Sequence, residues 1–80
     1  MQKRLRQRDV FVRRLKDARQ RLDISQTAVG IAAAVDPAVA STRFNRYEKG
    51  VHEPDMETAA RIADVLNVPL PWLFTSDENL

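Results

Sequence analysis

A chain of 80 residues without cysteine allows one small domain and excludes both a disulfide framework and a thiolate metal site. It has no apolar run near the roughly 20 residues that span a bilayer, and its basic start lacks the apolar stretch of a secretory signal, which predicts a cytoplasmic protein. Residues 1–21 carry nine Lys and Arg against two Asp, whereas the remaining residues carry a net charge of −5, an asymmetry that favours a polyanionic partner.

The first predicted helix runs from Asp9, its N-cap, to Leu22. Its apolar residues recur on one face at the 3.6-residue period, at Phe11, Leu15, Ala18 and Leu22. Residues 1–8 before it are interpreted as a basic arm or an extension of this helix. The basic residues of this region form either a binding face or a solvated arm beside an ordinary amphipathic helix.

Two short helices follow in close succession. Ser25 caps a helix from Gln26 to Ala34, and Asp36 caps a second helix from Pro37 to Glu48 that Gly50 ends. The connection between them is too short for anything but a sharp turn. This arrangement predicts a helix-turn-helix motif, whose second helix protrudes.

Two further helices are predicted after the motif. One is capped by Asp55 and runs from Met56, counted as a core residue, to Leu66, and the other is a short terminal helix from Leu70 to Phe74. No strand-like alternation appears. The chain is therefore expected to be an all-α, compact five-helix domain over residues 9–75, followed by a polar tail at residues 76–80.

Three stretches at characteristic distances carry a family resemblance: residues 22–26, residues 45–50, and residues 63–68 followed by Trp72 and Leu73. Over roughly residues 11–75 the chain resembles the Cro/C1-type (XRE family) helix-turn-helix regulators. The resemblance implies a DNA-binding domain of the phage-repressor type. This chain has about four more residues than the usual pattern, which we place at residues 36–39. Because four residues make about one helical turn, the recognition helix is expected to be one turn longer at its start.

The resemblance also implies roles for individual residues. Gln26 and Arg43 match phosphate-contacting positions, and Lys49 lies in the loop that follows the DNA backbone. Positions that match base-reading residues are Ser41, Thr42 and Arg46. A helical wheel with Phe44 inward adds Asn45 and Val39 at the edge of the outward face, where they suit adenine and the thymine methyl group.

Arg19 and Glu48 form a second predicted constellation. In the resembling family, an arginine of the first helix meets the glutamate that closes the recognition helix. The alternative is two exposed charges on separate helices.

The expected function is sequence-specific binding of double-stranded DNA by a repressor that reads a near-palindromic operator as a homodimer. The dimer interface is placed at Leu70, Trp72 and Phe74, because a short terminal helix with this much apolar area exceeds what a small core can cover. Alternatively, Trp72 fills a gap in the core.

Other functions are weighed against this one. An antitoxin of the same fold would also bind a toxin protein, and residues 2–21 would suit an anionic membrane if they carried a wide apolar stripe. His52 lies beside Glu53 and Asp55, but a lone histidine is interpreted as a surface residue. The sequence predicts no enzyme activity, no cofactor and no metal.

Overall fold

The computed structural model describes residues 7–75, which form four α-helices and one 3₁₀ helix. They are α1 (Gln7–Arg21), α2 (Gln26–Ala32), α3 (Ala40–Lys49), α4 (Met56–Leu66) and the 3₁₀ helix (Leu70–Phe74). These residues contain no strand, so the all-α prediction is confirmed. The predicted tail at residues 76–80 and most of the predicted arm, residues 1–6, lie outside the described residues.

The prediction of five α-helices is wrong, because the last one is a short 3₁₀ helix. Pro69 and Pro71 have no backbone N–H to donate, and the segment closes through an i→i+3 hydrogen bond from Trp72 N–H to the Pro69 carbonyl, 3.0 Å long. Leu73 from this segment is fully buried. The 3₁₀ helix therefore forms one wall of the core.

Side-chain caps begin α2 and α4. Ser25 Oγ accepts the N–H of Ala28 at 3.0 Å, and Asp55 Oδ1 accepts the N–H of Thr58 at 2.8 Å. Hydrogen bonds from the side chain and the backbone of Thr58 lower the pKa of Asp55. The contribution of this cap to stability is therefore present at neutral pH and is lost as the pH falls through the lowered pKa.

The start of α3 differs from the prediction. Asp36 Oδ1 accepts the N–H of Ala38, and the Asp36 carbonyl accepts the N–H of Val39, both at 3.0 Å. These bonds close a separate turn, and Val39, with φ −125°, stands outside the helix that begins at Ala40. The extra residues therefore form a turn before α3, and the expectation that the recognition helix is one turn longer is wrong.

The core lies between all five elements. Its buried apolar residues include Phe11, Leu15, Ala18, Val29, Ala33, Phe44, Tyr47, Ile62, Ala63, Leu66 and Leu73. Leu22 and Met56, both predicted to face the core, are 43% and 67% exposed. Leu22 follows the last residue of α1 and Met56 is the first residue of α4, so neither is covered by a neighbouring helix turn.

The helices α2 and α3 approach each other closely where α2 crosses the start of α3. A Cβ atom added to Gly30 would lie 3.0 Å from both the Cβ and the carbonyl oxygen of Ala40. Gly30 and Ala40 are both buried. This contact fixes the position of α3 on α2.

Replacing Gly30 with alanine is expected to destabilise the domain by about 1–2 kcal/mol. The added methyl group meets a backbone carbonyl, which places the cost of overpacking at about 2–3 kcal/mol, and the gain in helix propensity returns about 1. Denaturant unfolding measures this loss. Thr27→Ala, an exposed substitution in the same helix, should leave stability unchanged or slightly higher. A stable Gly30→Ala variant would contradict a tight crossing at this point.

Candidate nucleic-acid interface

The outward face of α3 carries a polar stripe. Thr42, Arg46 and Lys49 are all exposed and lie within about 60° of one another around the helix axis. Arg43 flanks this stripe on one side and is also exposed. On the opposite face, Phe44 and Tyr47 are buried and pack edge to face, with ring centroids 6.2 Å apart. The buried rings thus hold the polar stripe toward solvent.

The other predicted base-reading residues lie at the margins of this stripe. Asn45 is half-buried beside it, and Ser41 is exposed but turned about 100° from Thr42. Val39 is half-buried in the turn before α3. The structure therefore brings Thr42, Arg46 and Asn45 to one surface and leaves the other two at its edge.

A hydrogen-bonded chain joins the start of α2 to α3. Gln26 Nε2 donates to Glu48 Oε1 at 3.0 Å, and Asn45 Nδ2 donates to Gln26 Oε1 at 3.4 Å. This arrangement fixes the orientation of both amides. Asn45 retains its Oδ1 acceptor and one N–H donor, which is the pair that matches the N6 and N7 edge of adenine.

Arg19 and Glu48 are in direct contact. Arg19 Nε donates to Glu48 Oε2 at 2.5 Å, and a second guanidinium nitrogen donates to Glu48 Oε1 at 3.1 Å. Arg19 also donates to the Ile24 carbonyl at 3.0 Å. The hydrogen bond with Glu48 raises the pKa of Arg19. With side chains only 16% and 5% exposed, this bidentate pair connects α1 to the end of α3.

Two concave surfaces border the stripe on α3. One is lined by Lys16, Gln26, Asn45 and Lys49 together with the Arg19–Glu48 pair, and the other by Arg43, Arg46 and His52 with the loop before α4. Sequence reasoning interpreted His52 as a surface residue and included Lys16 only among the basic residues of positions 1–21. Lys16 lies about 60° from Arg19 around α1, so the three-residue spacing could have indicated that both side chains lie on the same face of the helix.

The predicted dimer residues are partly used inside the domain. Phe74 stacks on Phe11 with ring centroids 5.0 Å apart, and the Arg14 Cζ lies 4.4 Å from the centre of the Trp72 ring. Leu70, Trp72 and Phe74 are each half-buried. The surface available for a partner is therefore smaller than the sequence suggested.

No helix within residues 7–75 is long and apolar enough to cross a membrane. Over the same residues, no group of three His, Cys, Asp or Glu side chains is placed to hold a metal ion.

Comparison with known proteins identifies a family and a similar solved structure. A family model described as helix-turn-helix matches residues 15–73. The crystal structure of the transcriptional regulator BswR is similar with a TM-score of 0.77 and 38% sequence identity, over 85% of this chain and 67% of that chain. No curated protein is significantly similar in sequence.

Proposed function

Since this chain belongs to the XRE-type helix-turn-helix family of DNA-binding transcription regulators, we propose that it represses transcription by binding a near-palindromic operator as a homodimer. The observation that carries this proposal is the exposed polar stripe of Thr42, Arg46 and Lys49 on α3. An α-helix fits the major groove, where each base pair presents its own pattern of donors and acceptors. Repression requires only that the bound domain occupy DNA that transcription needs.

Base readout is assigned to the stripe and its margin. Arg46 is suited to donate to both O6 and N7 of guanine, and Asn45 to pair with adenine through the groups that Gln26 leaves free. Thr42 contacts the same groove from the preceding turn. Ser41 and Val39 contact bases at the edge of the site, where Val39 packs on a thymine methyl group.

Phosphate contacts are assigned to three residues that surround this stripe. Gln26 has donated one amide N–H to Glu48 and has a second N–H for a phosphate. Arg43 and Lys49 are exposed and supply positive charge. Such contacts position the domain without reading sequence.

DNA affinity is expected to fall steeply with salt, because each neutralised phosphate releases counterions. If Arg43 and Lys49 each neutralise one phosphate in both protomers, the log–log slope is about −3.6 or steeper. Lys49→Gln should reduce its magnitude by about 1.8 for a dimer, whereas Arg13→Gln, on α1, should change it little. Fluorescence anisotropy over a salt series measures the slope. A flat dependence would rule out phosphate-driven binding.

A homodimer is expected because a single domain contacts only a small stretch of DNA. One recognition helix reads only a few base pairs, which is too little to single out one genomic site. A two-fold dimer doubles the contacts and requires half-sites about 34 Å apart. We assign the interface to the exposed parts of Leu70, Trp72 and Phe74, at the end of the fold formed by the 3₁₀ helix.

Selection of bound sequences from a random duplex pool tests this function. The expected result is an inverted repeat, with two protomers on one duplex in native mass measurements. Leu70→Ser should reduce cooperative loading of the second protomer, while Thr27→Ala should not. Random selected sequences would overturn sequence-specific binding, and a one-to-one complex on a site without symmetry would overturn the homodimer.

A further inference from the structure

A second cationic cluster lies where α1 meets the 3₁₀ helix. It contains Arg13, Arg14 and Arg21 around Trp72, with Asp17 as its one acidic neighbour among the lining residues. The Cζ atoms of Arg14 and Arg21 lie 4.4 and 5.9 Å from the centre of the Trp72 ring. Because three arginines face a single aspartate, the cluster has an excess of positive charge.

Arg14 has an unmet hydrogen-bonding requirement. The residue is only 8% exposed, and its Nε–H has no acceptor among residues 7–75. The Trp72 ring stabilises the face of the guanidinium, but the N–H donors lie in the guanidinium plane and need acceptors there. A buried guanidinium is paired in most proteins, and a carboxylate matches its planar donors. The cluster therefore fits a carboxylate ligand.

This cluster is separate from the DNA-binding surface. Arg14 and Arg21 lie about 140° and 160° around the α1 axis from Arg19, the residue that contacts α3 through Glu48. A duplex held on α3 would leave this flank of α1 free. Its excess positive charge favours an acidic ligand, and neutralising that charge would also remove the repulsion between two copies that meet at Trp72 in the proposed dimer.

We propose that Arg14, Arg21 and Trp72 form a carboxylate-binding site whose ligand is the pair of acidic residues Asp77 and Glu78 of the same chain. The described residues end two positions before Asp77. Trp72 to Phe74 belong to the 3₁₀ helix, which rises about 2 Å per residue, and the three steps from Phe74 to Asp77 span at most about 11 Å, so Asp77 lies within about 15 Å of Trp72. This reach is enough for its carboxylate to contact a site that contains the Trp72 ring. A short tether of this kind supplies an effective concentration on the order of millimolar, and bound carboxylates would fasten the 3₁₀ helix to α1.

The test uses the full chain, since Trp72 is its single tryptophan and reports directly on the site. Asp77→Asn/Glu78→Gln is expected to lower the Tm by about 2–6 °C at 0.1 M NaCl and to alter Trp72 emission. Both effects should shrink toward 1 M NaCl, where the screening length falls from about 10 to about 3 Å. Arg21→Gln should give a similar loss, and combining it with the acidic substitutions should add little.

Glu53→Gln/Asp64→Asn is the matched control, because it removes one exposed glutamate and one exposed aspartate elsewhere and should leave Trp72 emission unchanged. Unchanged Tm and emission in the Asp77→Asn/Glu78→Gln variant would overturn the proposal. So would losses that add fully with that of Arg21→Gln. An effect that grows with protein concentration would assign the carboxylates to a second copy and overturn the same-chain assignment.

Discussion

Replacing Glu48 with alanine is expected to lower the free energy of unfolding by about 3–5 kcal/mol, because it leaves the Arg19 guanidinium enclosed without its carboxylate. Gln26 loses its acceptor in the same variant. Urea unfolding monitored by circular dichroism measures the loss. Since small domains have a total stability of about 5–15 kcal/mol, the variant is best studied at low temperature.

A double-mutant cycle with Arg19→Ala isolates the interaction of the two charges. The double variant should lose much less than the sum of the single losses, because it strands neither charge. Arg19→Lys is the conservative control: it keeps the charge, loses the bidentate geometry, and should cost less than Arg19→Ala. Additive single losses would show that the two side chains contribute independently.

Arg46→Ala is expected to reduce discrimination between the selected operator and random duplex by about 1–3 kcal/mol per half-site, or roughly 5- to 150-fold. The reason is the loss of a paired donor to one guanine at each half-site. Competition binding with both duplexes at one salt concentration measures the ratio.

Lys49→Gln serves as the comparison, since a lost phosphate contact should weaken both duplexes equally. Unchanged discrimination in Arg46→Ala would mean that the base-reading face lies elsewhere on α3. Gln26→Ala should weaken all sequences and also relax the preference that depends on Asn45, whose amide it orients.

Local sequence signals predicted most of the helices. Ser25 and Asp55 are caps by residue type alone, and their hydrogen bonds are present in the structure. The same rules failed at Asp9, which lies inside α1 because that helix begins at Gln7, and at Asp36, where the side chain closes a turn in place of capping a helix. Because an Asp-Pro pair suits both structures, the choice depends on the crossing of Gly30 and Ala40, a tertiary contact.

The sequence predicted which residues belong to the site but not which of them are hydrogen-bonded to one another. Gln26, Asn45 and Glu48 were each identified, two as DNA contacts and one as an ion-pair partner. The hydrogen bonds that join them cross 19 and 22 residues of sequence, which no helical period reveals. Trp72 is a similar case: its contact with Arg14 spans 58 positions, and residue type alone left its role open.

The turn at Asp36 has a consequence for how chains of this kind change length. Its hydrogen bonds are closed within residues 36–39, and the preceding helix ends on its own bond from Val35 N–H to the Gly30 carbonyl. The position of α3 depends instead on the direct contact between Gly30 and Ala40. Since doubling the length of a loop costs only about 0.6 kcal/mol, insertions and deletions at this junction should leave the alignment of α3 on the operator unchanged. Changes in chain length at this junction should therefore leave the DNA sequence preference unchanged, because that preference depends on the side chains of α3.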